Sequence, residues 1–154
     1  MDALEFFEKI AKPNYEEAKR APDDLRLLWN AVVSLNTIVE FVVLHRCNYE
    51  ADLERNELLK KADKIRKKIP ELDYLNKWAI AFKHVRRNQK KTQYNPFDRI
   101  AATPSSTGID PSDPSTWSIE IDGLERDVVT VLDKAFPEAE NLINSLGRAI
   151  DGAF

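Results

Sequence analysis

The chain has 154 residues, of which 43% are hydrophobic and 32% are charged, and its formal net charge is −3; this length suffices for one domain with a hydrophobic core. The single cysteine, Cys47, excludes an internal disulfide and is typical of a reducing compartment, so we expect a cytoplasmic protein. We expect no secretory signal, because no basic run followed by an apolar run begins the sequence, and no membrane span, because the most apolar stretch, 27–44, contains several polar residues.

Two short helices are predicted before the centre of the chain. The first covers about 4–10 and is expected to end before Pro13, because proline disrupts a helix interior. Asn14 is expected to cap the second helix, since its side chain can accept a hydrogen bond from the N–H of Glu17.

The central element is a predicted helix over about 22–46. Pro22, Asp23 and Asp24 favour its start, because proline suits a first helical turn and acids suit the positive helix end. Its apolar residues cover most of the circumference, which predicts burial by several neighbours or by a second subunit. We therefore expect a homodimer through this helix. Asn36 lies inside the apolar stripe and is predicted to fix helix register by hydrogen bonding to a neighbouring helix or to its own copy.

Two further helices are predicted, over about 50–68 and 71–88. Asn48 is expected to cap the first, and Pro70 is expected to begin the second. The first of the two has an apolar face and a basic face on opposite sides. The apolar face comprises Ala51, Leu58, Ala62, Ile65 and Ile69, and the basic face comprises Arg55, Lys60, Lys61, Lys64, Lys67 and Lys68.

The composition changes over 92–123, where a loop and a small β-ribbon are predicted. Prolines and serines over 104–115 indicate a loop. The segments 99–103 and 117–121 have strand character, and we expect them to form a two-stranded ribbon that lies on the helices.

The residues after the ribbon allow two structures. Asp122-Gly123 suits a hairpin turn into a third strand, but it also suits a turn into a helix. We favour the helix, because the apolar residues from Leu124 onward follow helical spacing. Pro137 is expected to kink or restart this last helix.

These elements predict an all-α fold with short connections. We expect an antiparallel bundle of about five helices, with the two-stranded β-ribbon placed before the C-terminal helix. The whole chain, 1–154, is predicted to be a single domain, within which 92–123 is an insertion.

His84 is the first candidate for a functional residue. On a helical wheel it lies opposite the apolar arc of the 71–88 helix, together with Lys77, Ile80, Lys83 and Arg87. Lys83, His84 and Arg87 are predicted to donate to a phosphate or carboxylate, with His84 as a weak catalytic candidate that transfers protons near neutral pH. Two structural interpretations together are favoured: cations stabilise a helix C-terminus, or the ribbon covers this side.

The charge of the chain is concentrated in its middle. Residues 54–91 contain thirteen Lys or Arg against five Asp or Glu, a net charge of +8, whereas 1–53 carries −4 and 92–154 carries −7. Such asymmetry is typical of a nucleic-acid or acidic-partner surface. We favour neutralisation by the acidic segments, because the acidic protein as a whole repels a polyanion at long range.

Metal and cofactor signals are weak. His45 and Cys47 form a His-x-Cys pair, but the chain has only two histidines and one cysteine, too few for a typical zinc site. With four glycines it contains neither a dinucleotide-binding fingerprint nor a P-loop. We predict no metal and no cofactor.

The order APDDLRLLWNAVVSLNTIVEFVV, then AFKH, then SIEIDG resembles small helical proteins of bacteria and their phages. More loosely, it resembles the HEPN-type helical bundles. That resemblance implies a dimeric bundle. Some members of the HEPN family are metal-independent ribonucleases with an arginine four to six residues before a histidine. Positions 78–80 before His84 and 39–41 before His45 contain no arginine, so the resemblance implies a HEPN-like bundle without this nuclease motif.

Taken together, the sequence predicts a non-enzymatic interaction or structural module that acts as a homodimer. The alternative is an RNA-binding or RNA-cleaving protein that uses His84, Lys83, Arg87 and the lysine-rich helix.

Overall fold

The computed structural model describes residues 1–49, 53–84, 117–121 and 124–146, with the backbone alone for 81–84, 118–121 and 124–125. The described chain is mostly helical, as the sequence predicts, and a two-stranded antiparallel ribbon formed by 118–121 and 124–127 precedes the C-terminal helix. The elements in chain order are α1 (Ala3–Phe6), a π-helix (Phe7–Ala11), α2 (Lys12–Arg20), α3 (Leu25–Arg46), α4 (Arg55–Arg66), α5 (Pro70–His84), β1 (Ser118–Ile121), β2 (Leu124–Asp127) and α6 (Val128–Leu146).

The core is built around α3, which contacts α2, α4, α5 and α6. Asp24 caps its N-terminus, with Oδ1 accepting from the backbone N–H of Arg26 at 2.9 Å and of Leu27 at 3.2 Å. Ten of its residues are buried by the other helices of the same chain. The apolar circumference of this helix is therefore largely satisfied within one chain, and the homodimer through 22–46 stays a prediction.

By length and composition alone, α3 is also apolar enough to cross a membrane. Of its most apolar 18-residue window, 56% is buried inside the chain, which is also the behaviour of a core helix.

The prediction that a first helix ends before Pro13 and a second one follows is wrong. The chain stays helical from residue 3 to residue 20, and Pro13 lies in the first turn of α2. The π-helix ahead of it widens the turn, with the N–H of Lys12 bonded to the carbonyl of Phe7, five residues back. This wider turn gives the proline ring room, so the helix continues and Asn14 lies inside it rather than capping it.

The connection after α3 contradicts a second predicted helix cap, that of Asn48. Asn48 and Tyr49 adopt left-handed backbone conformations, with φ of 50° and 53°, and they end α3. The helix α4 starts at Arg55, with Glu54 at the capping position, so Asn48 does not cap it. Asparagine tolerates positive φ better than most residues, which explains its use as a helix stop here.

The predicted helical wheel of α5 is confirmed where its side chains are described. The helix begins at Pro70, and Leu72, Leu75, Trp78 and Ala79 are buried. Ile80 on the opposite side is 46% exposed.

The prediction of a helix from Leu124 is wrong for its first four residues. They form β2, which pairs with β1 so that Ile121 lies opposite Leu124 and Ser118 lies opposite Asp127. The predicted partner strand, 99–103, and the loop 104–115 lie outside the described residues. The helix α6 begins only at Val128, because Asp127 Oδ2 accepts from the backbone N–H of Thr130 at 2.7 Å and so provides the N-terminal cap.

The C-terminal helix α6 runs without a break through Pro137 to Leu146. It is tied to α2 by a polar cluster in which the Tyr15 hydroxyl donates to Asp133 at 2.8 Å and Lys19 Nζ lies 3.1 Å from the same carboxylate. The Tyr15 ring also stacks on Phe136, with centroids 4.2 Å apart. These contacts join the two ends of the described chain.

Candidate anion-binding site

The exposed side of α4 and of the turn that follows it is dense in lysine. Five lysines make up this surface, which we call the lysine face, and all are exposed: Lys60, Lys61, Lys64, Lys67 and Lys68. Within the described ranges no carboxylate forms a salt bridge with any of them. This confirms the basic face predicted for the helix, and none of the described carboxylates neutralises it.

Part of the lysine face forms one wall of a cleft between α4 and the C-terminal end of α3. The cleft has a volume of about 400 Å³. Lys61 and Lys64 line it from α4, Lys68 lines it from the turn that follows, and Arg46 lines it from α3. None of the described residues lining the cleft is acidic, so four positive charges converge on one concave site. A cleft lined by charges of one sign focuses their electric field on a bound ion.

The floor of the cleft is apolar. Val43 of α3 and Ile65 of α4 form it, and both residues also contribute to the hydrophobic core or pack against it. Cys47 also lines the cleft, with its thiol sulfur 3.6 Å from Lys61 Nζ. A ligand that combines a charged group with a less polar body fits this division.

Arg46 is held in place by the C-terminal helix. Its Nη2 lies 3.4 Å from Ser145 Oγ of α6, and Ser145 Oγ in turn donates to the carbonyl of Leu142 at 2.6 Å. A guanidinium restrained in this way loses less side-chain entropy when it binds an anion than a freely rotating one does.

A second arginine, Arg66, lies on the inner side of α4 and is 1% exposed. Its Nη2 donates to Glu40 Oε1 and to the backbone carbonyl of Asn36 on α3, both at 3.2 Å, and its Nη1 donates to Asp63 Oδ1 at 3.2 Å. A buried guanidinium requires such partners, because an unpaired charge in the core is strongly destabilising. These bonds fix α4 against α3 and so fix the two walls of the cleft relative to each other.

Sequence reasoning missed Arg66, although a signal was present. Arg66 follows Leu58 and Ala62 at intervals of four residues and so lies in the apolar row of the helix. Asn36 is buried as predicted, but its side-chain Oδ1 accepts no hydrogen bond from the described residues. The contact between helices at this position uses its backbone carbonyl instead.

The predicted site around His84 is only partly described. Lys77 is exposed and its Nζ lies 3.2 Å from Asp73 Oδ2. Lys83 and His84 belong to the last turn of α5, but their side chains lie outside the description, and so does Arg87 entirely. The role of His84 in binding or catalysis therefore stays a prediction.

His45 and Cys47 do not converge on further ligands within the described residues. His45 Nδ1 lies 3.4 Å from the Tyr49 hydroxyl, which also accepts from the backbone N–H of Ala3 at 3.3 Å. In the ranges that the structure covers, no three His, Cys, Asp or Glu residues are grouped as metal ligands would be.

A second, smaller cleft of about 270 Å³ lies between α5, β2 and α6. Arg126 and Lys134 line it together with Glu71 and Asp127, and the Arg126 guanidinium lies 4.8 Å from the centre of the Tyr74 ring. Because its charges are of both signs, it suits an anion less well than the cleft between α3 and α4.

Comparisons with known protein families, with curated proteins and with solved structures found no match for this chain. The function of the protein is therefore inferred from the physical properties of this site.

Proposed function

We propose that the protein is a non-enzymatic binding module, built as an antiparallel helical bundle, whose partner is single-stranded RNA. The observation that carries the proposal is the lysine face, which is exposed and forms no salt bridge with described carboxylates. Most of the affinity of a protein for RNA comes from cations that replace the counterions of the phosphates.

The type of cation suits a strand whose phosphates are contacted one after another. Between residues 60 and 68 every exposed cation is a lysine, and the one arginine is buried. Lysine contacts a phosphate as a point charge and does not require the fixed bidentate geometry of arginine. An acidic protein partner would use the same charges, and polyglutamate serves as its probe in the test below.

The test is fluorescence anisotropy with a labelled single-stranded oligouridylate at increasing salt. We expect a Kd on the order of 10⁻⁵ M at low salt, and a logarithmic salt slope of roughly −0.7 for each phosphate contacted. Changing Lys60, Lys64 and Lys67 to Gln should weaken binding and flatten the slope.

A matched control removes three charges elsewhere. Changing Lys9, Lys12 and Arg20 to Gln removes three positive charges from the first helical stretch, as many as the first variant removes from the lysine face. It should leave the salt slope unchanged. Equal losses in the two triple variants, or polyglutamate binding as tightly as RNA, would overturn the proposal.

A further inference from the structure

We propose that the cleft between α3 and α4 binds the terminal phosphate of the strand, while lysines outside the cleft contact internal phosphates. This inference rests on the proposed function and names the ligand group that the cleft selects. A terminal phosphate is a phosphomonoester with a charge of about −1.5 to −2 near pH 7, whereas an internal phosphodiester carries a single negative charge.

The distribution of cations supports this division. Arg46, Lys61, Lys64 and Lys68 converge on the cleft, whereas Lys60 and Lys67 belong to the lysine face but not to the lining of the cleft. Four cations around one concave site attract a dianion more strongly than a monoanion, and this difference is the basis for selectivity.

The shape of the cleft supports a terminal nucleotide rather than a bare ion. Its volume of about 400 Å³ lies within the range of small-molecule sites. Val43 and Ile65 provide an apolar floor on which a ribose or base can lie while the phosphate faces the cations.

Arg46 adds a positive charge on the α3 side of the cleft, opposite the lysines of the lysine face. A terminal phosphate has three unesterified oxygens and an internal phosphodiester has two, so the terminal group can contact cations on both walls of the cleft at once. The bond to Ser145 restrains this side chain at the cleft before a ligand arrives.

The decisive experiment compares oligouridylates of one length that end in a 5′-hydroxyl, a 5′-phosphate or a 3′-phosphate. Binding is measured by competition against a labelled strand. We expect a phosphorylated end to tighten binding by roughly tenfold. Equal affinity of all three strands would overturn the inference and leave the proposed function standing, whereas no binding of any strand at low salt would remove the proposed function itself.

A pair of double variants on the same helix separates the cleft from the rest of the lysine face. Changing Lys61 and Lys64 to Gln should abolish the preference for a phosphorylated end. Changing Lys60 and Lys67 to Gln removes the same charge outside the cleft and should weaken all three strands by the same factor. All four lysines are exposed, so both proteins are expected to fold. Loss of the preference in the second variant alone would contradict the inference.

Cys47 provides a readout that is independent of RNA binding. It is the only cysteine of the chain and lines the cleft, so a ligand there should slow its alkylation by a neutral maleimide. We expect uridine monophosphate to protect the thiol and uridine to have no effect. No protection by the monophosphate would overturn the inference. Equal protection by glycerol phosphate would overturn the assignment to an RNA end and identify a site for small phosphomonoesters.

Discussion

Arg66 of α4 and Glu40 of α3 form an ion pair across the two helices that make the cleft, with Nη2 3.2 Å from Oε1. The two partners differ in environment, since the arginine side chain is 2% exposed and that of the glutamate is 32% exposed. The arginine is therefore the member of the pair that depends on its partners for burial.

Changing Arg66 should destabilise the fold more than changing Glu40 does. Arg66→Ala should lower the free energy of unfolding by about 3 kcal/mol, because it also removes packing and the bond to the Asn36 carbonyl. Glu40→Gln should cost about 1–2 kcal/mol, since Arg66 keeps its other acceptors. Urea denaturation measures both changes. The control is Arg55→Ala, at an exposed position of the same helix, which should change the free energy of unfolding by less than about 0.5 kcal/mol.

The core around α3 gives a second prediction. Leu35 is fully buried, so Leu35→Ala should cost about 3 kcal/mol through lost burial and the cavity that remains. Ile80→Ala removes a similar side chain from an exposed position and should cost less than about 0.5 kcal/mol. A loss at Ile80 comparable to that at Leu35 would show that the outer side of α5 is covered in solution.

The boundary between β2 and α6 depends on Asp127. Asp127→Ala should destabilise the protein by about 1 kcal/mol, because the backbone N–H of Thr130 loses its acceptor. Asp127→Asn keeps a capping oxygen and should retain most of the stability. Thermal unfolding followed by circular dichroism compares the two, and equal losses would argue against the cap.

The contact between α2 and α6 should make the free energy of unfolding depend on pH in the alkaline range. Burial, reinforced by the hydrogen bond to the Asp133 carboxylate, raises the pKa of the Tyr15 phenol above its ordinary value near 10. The hydrogen bond to Asp133 likewise raises the pKa of the Lys19 ammonium. In both cases the unfolded chain loses its proton first, so this contribution is complete below about pH 10 and is lost as the pH rises through the folded-state pKa values.

Tyr15→Phe tests this dependence. The variant should lose about 1 kcal/mol near neutral pH, where the hydrogen bond to Asp133 is missing, and its stability should fall less steeply above about pH 10. Denaturant titrations at a series of pH values provide the measurement. A variant that follows the wild-type curve above pH 10 would show that Tyr15 is not the titrating group.

The sequence predicted those features that depend on residues close together in the chain. The wheel of α5 correctly separates Trp78 from Ile80, and the basic side of α4 is exposed as expected. Helical periodicity is a local property, and for these helices the neighbouring elements do not override it.

Other features depend on distant parts of the chain or on a choice between two local structures. The burial of Arg66 depends on Glu40, 26 residues earlier, and no spacing rule within α4 reveals this partner. Leu124 matches the helical spacing of α6, but it pairs with Ile121, three residues earlier, in a strand; the sequence Asp122-Gly123 allows both structures. The cleft itself requires the end of α3 and the face of α4 to come together, which no single segment encodes.

The inward position of Arg66 has a consequence for the outer surface of α4. At about 100° per residue, the three lysines of the lysine face that lie within α4, Lys60, Lys61 and Lys64, are more than about 100° around the helix axis from Arg66. Rotating α4 to bring any one of them inward would therefore expose Arg66 and separate it from Glu40. Among the cations of α4, Arg66 alone is buried, and its position thus fixes the rotation of the helix about its axis and the direction in which these lysines point.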